Sequence, residues 1–347
     1  MSDYQLRFAL FGTGVFGSIF ASYLNEVGEL VAICDPVPAA RTRFRDQTGL
    51  QLPEFDTPER LFAAIDVDAV ALTGPNDTHM PIALSAARAG KHVYCEKTMA
   101  PSVPDCWGMV RACEAAGVRL LIGHKRRLRP PWARMLDLRG QLGPVYAISS
   151  CKYHDSRGYS PRGWWHRAAE CGGTLPLVGV HTVDWMRAMC GDVSAVSAVA
   201  APQTDAQFDY PDTLHVSVRF GSGAVGSLSV SASYPLLQYR ESCSSDVLTR
   251  DGGMRIVTFM DHIDLYWQRR QEKEAHHERF DDLGHAHAFR KELGDFVRWI
   301  TAGTEPCLTW REGLRCVEVM EAAHRSAGQH GAWMQLPLYP DLERGRE

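Results

Sequence analysis

The 347-residue sequence predicts an α/β protein in two parts: a doubly wound parallel sheet over residues 1–124 and a second α/β domain, largely antiparallel, over 125–347. Three observations carry this. Short apolar runs alternate with helix-like segments as far as Gly123, the first of those runs ends in a glycine-rich turn, and beyond Gly123 strand-like runs follow one another directly. Strands buried on both faces and separated by helices form parallel sheets, whereas serial strands form antiparallel ones.

The elements follow in order. "LRFALFG" is a strand, and Phe16, Ile19, Phe20, Tyr23 and Leu24 give the next segment helical spacing. "LVAICD" is a strand, and "PAARTRFRDQTG" a polar helix closed by Gly49. Thr57 is placed to cap a helix whose first position is Pro58. "AVALT", "HVYCE" and "VRLLIG" are strands, with helices ending near Gly90 and before Val118 between them. Right-handed crossovers wind such a unit doubly and put its ligand beyond the carboxyl ends of the strands.

The turn "GTGVFG" supplies Gly12, Thr13, Gly14, Val15, Phe16 and Gly17 between the first strand and first helix. Its G-x-G-x-x-G spacing suits a dinucleotide: Gly12 for the tight turn, Gly14 for approach of the pyrophosphate, Gly17 for close helix packing. Asp35 ends the second strand, where a carboxylate accepts hydrogen bonds from the adenosine ribose and repels a 2′-phosphate. The expected cofactor is therefore NAD rather than NADP, with Arg41 and Arg43 as the residues that would reverse the preference by folding back. The alternative for Asp35 is a plain turn residue before Pro36.

Composition narrows the class. Hydrophobic residues make 45% and charged residues 22% of the chain, ordinary for a globular enzyme. A net charge of −4 speaks against nucleic acid or an anionic membrane as partner. No run approaches the ~20 apolar residues of a membrane span. The N-terminus carries no basic leader, and ten scattered cysteines without a paired spacing fit a reducing cytoplasm.

"CEKTMAPS" places Glu96 and Lys97 where the fourth apolar strand runs out, on the cofactor side of the sheet. A surface turn is one reading. The other is chemical: Lys97 hydrogen-bonds a substrate hydroxyl and assists its deprotonation as hydride leaves the same carbon. Glu96 then orients the lysine or meets the nicotinamide ribose.

These residues carry a resemblance. "GTGVFG", "TGPNDTH", "GKHVYCEK", "GGTLPLVGVHTVDW" and the closing "TWREGLRCVEVMEAAHRSAGQHG" are similar to the motifs of the glucose–fructose oxidoreductase/inositol dehydrogenase (Gfo/Idh/MocA) family. The resemblance implies a Rossmann domain and a C-terminal domain on an open sheet, whose exposed face pairs subunits into a homodimer or homotetramer. It adds Gly74, Pro75, Asn76, His79, Glu96 and Lys97 to the cofactor site. It implies Lys97 and His181 as the catalytic pair. Thr98 stands where the family has a cis proline, and Leu177 where it has an aspartate four residues before His181.

Other substrate-site candidates are Arg127 and Tyr153, and Arg157, Trp164 and Trp165 in the loop "HDSRGYSPRGWWHR". Tryptophan faces stack on sugar rings and arginine binds hydroxyls or carboxylates. A packed loop with solvated arginines is the alternative. Pro130 and Pro131 start a helix, and two amphipathic helices close the chain, with packing back on the first domain as the alternative to a place in the second. His276, His277, His285 and His287 read as a solvated segment, and no metal is assigned.

The function expected is an NAD(H)-dependent oxidoreductase acting on a secondary alcohol or ketone of a sugar, glycoside or cyclitol. Two alternatives stand beside it. One is glycoside cleavage by transient oxidation, elimination and re-reduction. The other is a cofactor-sensing regulator without turnover.

Overall fold

The computed structural model describes residues 5–155, 163–234 and 241–344. Two compact units divide the chain, one of Met1–His124 with Phe289–Leu314, the other of Lys125–Ala288 with Arg315–Glu347.

The first unit runs β1 (Arg7–Phe11), α1 (Val15–Val27), β2 (Glu29–Cys34), α2 (Pro38–Thr48), β3 (Glu54–Phe55), α3 (Pro58–Ala64), β4 (Ala69–Leu72), α4 (Asn76–Arg88), β5 (His92–Glu96), α5 (Val103–Ala115) and β6 (Leu120–Gly123). Its six strands are parallel in the order β3-β2-β1-β4-β5-β6. The order reverses direction at β1, the switch point beside which such sheets bind ligands. Thr57 caps α3 through its side chain, and Gly49 closes α2 in the left-handed conformation, as the sequence predicts. The β3 strand, two residues long, is an addition to the predicted five.

The second unit contains α6 (Pro130–Gln141), β7 (Val145–His154), α7 (Ala168–Cys171), α8 (Val180–Cys190), β8 (Val193–Ala200), β9 (Thr213–Phe220), β10 (Val225–Ser231), β11 (Glu241–Thr249), β12 (Gly252–Thr258), β13 (Ile263–Arg269) and β14 (His276–Phe280). Then come α9 (His285–Ala302), α10 (Trp310–Gly328), β15 (Met334–Gln335) and α11 (Pro340–Arg344). Its nine strands are antiparallel apart from the parallel β7–β10 pair.

Helix α9 from Phe289 onward belongs to the first unit, as does the start of α10. Phe289, Leu293, Phe296 and Trp299 join Phe8, Phe20, Leu24 and Tyr94 in that unit's core. The predicted solvated histidine segment is in part a strand: His276 stacks on Trp267 at 3.8 Å and His277 on Tyr266 at 4.5 Å between β14 and β13.

Candidate active site

In the first unit the glycine turn is built by close backbone approach. Gly12 has φ +93°, and a Cβ on it would lie 2.5 Å from the Gly74 nitrogen. A Cβ on Gly17 would lie 2.1 Å from the Gly12 oxygen. Neither position admits a side chain. Gly14 is different: nothing lies within 4 Å of its would-be Cβ, and as N-cap of α1 it makes no side-chain capping bond of its own. N–H groups at a helix start receive phosphate oxygens. The residues present thus fit a dinucleotide.

Side chains fix this turn from both sides. The Thr13 N–H and hydroxyl donate to Asp35 Oδ2 at 2.8 and 3.0 Å, and Val37 N–H donates to Asp35 Oδ1 at 2.9 Å. The Thr73 hydroxyl donates to the Gly12 oxygen at 2.7 Å. Arg41 is turned onto Glu54 at 3.2 Å and donates to the Asp35 carbonyl, while Arg43 is exposed. Val15 is 75% exposed at the start of α1, and Phe16 packs on Phe20 at 5.6 Å.

Pro75 precedes α4, and Asn76 begins it, buried. His79 is buried too. Its Nδ1 lies 2.9 Å from the Thr98 oxygen and its Nε2 3.1 Å from the Gly74 oxygen. Burial lowers its pKa, and a neutral imidazole has one N–H, so it donates to one carbonyl at a time. His79 therefore braces the Gly74 turn against the segment carrying Lys97. The Lys97–Thr98 peptide is cis. Lys97 is half-buried at the carboxyl end of β5, and Glu96 is buried beside it.

In the second unit a π-helical turn, Leu175–Gly179, leads into α8. Such turns recur at functional sites because they re-aim side chains. Val178–Val180 and Thr182–Arg187 are buried, leaving Leu177 and His181 half-exposed together. Arg127 Nε donates to Asp184 Oδ2 at 3.0 Å and Arg127 Nη2 to Oδ1, a two-pronged pair whose carboxylate is fully buried. The structure thus gives Arg127 a partner on α8.

Parity decides Tyr153. Gly226 shows which face of the sheet α8 covers, since a Cβ there would meet both Ile148 and Met186 of α8 at 2.9 Å. Ser150 and Lys152 share the parity of Ile148 and are buried. Tyr153 has the opposite parity, lies on the open face, bonds Ser229 at 2.8 Å and stacks on Tyr234 at 5.4 Å. It is directed away from the helix bearing His181, whereas Lys152 has the parity that α8 covers. Trp164 and Trp165 form a short helical turn, edge to face at 5.7 Å, with the Trp165 carbonyl accepting from the Tyr210 hydroxyl. Arg157 lies outside the described residues.

Comparison with known proteins now decides the family. The model for the NAD-binding Rossmann fold of the Gfo/Idh/MocA oxidoreductase family matches residues 6–124, and that for the family's C-terminal domain matches 133–245. The chain belongs to the Gfo/Idh/MocA family. It is 27% identical over 337 residues to inositol 2-dehydrogenase of Rhizobium meliloti (strain 1021), covering 93% of this chain and 97% of that one. Aldose-aldose oxidoreductase from Caulobacter crescentus, solved with glycerol, superposes with a TM-score of 0.82 at 27% identity, over 96% of this chain and 100% of its own. The WlbA dehydrogenase from Bordetella pertussis, solved with NADH and UDP-GlcNAcA, gives 0.83 at 25%, over 96% and 100%.

As a family member the chain is an NAD-binding oxidoreductase with a Rossmann domain and a second, mostly antiparallel mixed sheet. Sequence reasoning passed over Lys152, which is buried on the face of β7 that α8 covers. Arg126 donates to the Thr182 hydroxyl at 2.9 Å and to Cys243 Sγ at 3.2 Å. Strict alternation along β7 would have signalled Lys152, a charged residue in the buried parity.

Proposed function

We propose that this oxidoreductase moves hydride between NAD and a secondary alcohol or ketone of a sugar, glycoside or cyclitol, with Lys97 as acid/base and His181 assisting. One observation carries the reading: Lys97 stands half-exposed at the carboxyl end of β5, the edge of the parallel sheet at which the bare Gly14 cradle also opens. Bound nicotinamide supplies the hydride donor or acceptor. The Lys97 amine then hydrogen-bonds the substrate hydroxyl and takes its proton as hydride leaves, and as the ammonium returns that proton in the reverse direction, a role worth roughly 10²–10⁴-fold. Relatives named for inositol and aldose, or solved with a nucleotide sugar, support a polyhydroxylated substrate.

NAD is preferred over NADP because Asp35 directly follows β2 with its carboxylate fixed by Thr13, while Glu54 occupies Arg41. The second unit supplies the substrate groups, with His181, Trp164 and Trp165 as candidates. We assign subunit pairing, as homodimer or homotetramer, to the open face of its sheet, where serines 149, 197, 217, 227 and 244 line a shallow depression. All ten cysteines are free thiols, which suits a cytoplasmic setting. Among the described residues no helix is long and apolar enough to cross a membrane.

The experiment is a panel of sugars, cyclitols and glycosides assayed for NADH formation with product analysis. Lasting NADH with a ketone product is expected. Aglycone release without lasting NADH would instead establish oxidation–elimination–reduction, and cofactor binding without any turnover would establish a sensor.

A further inference from the structure

The residue preceding Lys97 belongs to a buried chain within the first unit. The Tyr94 hydroxyl lies 3.0 Å from Glu96 Oε1 and 2.9 Å from Glu292 Oε2. Tyr94 and Glu292 are 0% exposed and Glu96 5%. Space for the group is kept by Gly123, whose Cβ would lie 2.7 Å from the phenol oxygen and 3.0 Å from Glu96 Oε1. Phe20, stacked at 5.1 Å, and Phe296, edge-on at 6.1 Å, close over the Tyr94 ring.

A phenol has one hydrogen, and here two carboxyl oxygens stand within bonding distance of it. Burial, with the two glutamates, raises the Tyr94 pKa well above its usual value, so the phenol keeps that hydrogen. Whatever else the carboxyls touch, the second contact is attractive only if a carboxyl supplies its own hydrogen. Burial in a low-dielectric core favours the neutral acid, and Glu292 is the more deeply buried of the two. The other titratable groups on the flanking elements are His92 and Cys95 on β5 with Lys97 just after it, His124 after β6, Tyr23 and Glu26 on α1, and His285, His287, Arg290, Lys291, Asp295 and Arg298 on α9. The Cys95 thiol, raised by burial, stays neutral.

We infer that Glu292 is a neutral acid in the folded protein, donating to the Tyr94 oxygen while Tyr94 donates to Glu96. Tyr94 and Glu292 are positioning residues: they fix the orientation of Glu96 from within the core.

The test needs no substrate. Infrared spectra of the NAD-bound protein at neutral pH should show a carboxylic-acid C=O band that Glu292→Gln removes and Tyr94→Phe shifts. Linkage gives a second readout. A raised folded pKa contributes stability that is complete below the unfolded value, about 4.3 for glutamate, and is lost as pH rises toward the folded value. The unfolding constant of the wild type, divided by that of Glu292→Gln, should therefore rise about tenfold per pH unit from about 4.3 toward neutrality. Should Glu292→Gln not fold, Tyr94→Phe carries the infrared comparison. A wild-type spectrum without the acid band, or a ratio of unfolding constants that stays flat, overturns the inference.

Discussion

Thr13 is bound twice by Asp35: its N–H and its hydroxyl donate to the same carboxylate oxygen, at 2.8 and 3.0 Å. One carboxylate thus shapes the glycine turn and stands where the adenosine ribose is expected. Asp35→Ser should narrow or reverse the preference for NAD over NADP. It should also weaken binding of both, because the turn loses two bonds worth about 1–3 kcal/mol each to a charged acceptor. Fluorescence titrations of both cofactors check this, and a wild type preferring NADP would sink the assignment.

Lys97→Ala should lower turnover by roughly 10²-fold or more, the scale of general acid–base catalysis. NADH affinity should stay nearly unchanged. Steady-state kinetics on a substrate from the panel, beside a cofactor titration, separates the two quantities. Near-normal turnover would return Glu96 and Lys97 to the status of a structural turn.

The Arg127–Asp184 pair predicts an asymmetry. Arg127→Ala removes the two-pronged partner of a carboxylate that is 0% exposed, and breaking a buried pair from one side costs about 3–5 kcal/mol. Arg127→Met with Asp184→Leu should recover much of that loss. Chemical denaturation of the three proteins decides; equal stability of single and double variants would mean the pair is not coupled.

His324 packs over Gly173, whose Cβ would lie 2.9 Å from its ring, and burial lowers the His324 pKa to about 4. A depressed folded value gives stability that is full above the unfolded value, about 6.5, and drains away as pH falls toward 4. His324→Gln should flatten the decline of Tm between those pH values. His79 and His92 are lowered by burial in the same sense and will leave a residual slope. Parallel Tm curves for variant and wild type would refute the assignment to His324.

Leu177 and His181, four residues apart, are both half-buried, so Leu177→Asp places a carboxylate at a partly accessible position rather than in the sealed core. Its cost should stay below the several kcal/mol of an unpaired charge that is fully buried. A loss of several kcal/mol in denaturation would show that the side chain is sealed off after all.

Much of the first unit was legible because its signals are local: apolar strands of fixed length, glycine at steric contacts, Thr57 before Pro58. The second sheet was less so. "VSAVSAVA" in β8 offers only small side chains with little contrast between faces, and "HHERF" in β14 is polar on both. Motif position singled out Lys97 and His181, but it could not tell which face of β7 Tyr153 meets, because a one-residue step along a strand changes that face. The partnership of Tyr94 with Glu292 spans 198 positions, beyond any spacing rule.

The discontinuous first unit has a consequence for synthesis. Phe289, Leu293, Phe296 and Trp299 complete a core whose other members are translated before Gly123. At ~5–20 residues per second, the intervening chain occupies the ribosome for roughly ten to thirty seconds. Throughout that interval the faces of Phe20 and Tyr94 that α9 will cover are exposed on the nascent chain. A chaperone that shields apolar surface has its longest opportunity there, and premature termination before Phe289 leaves a cofactor domain that is sticky rather than merely shortened.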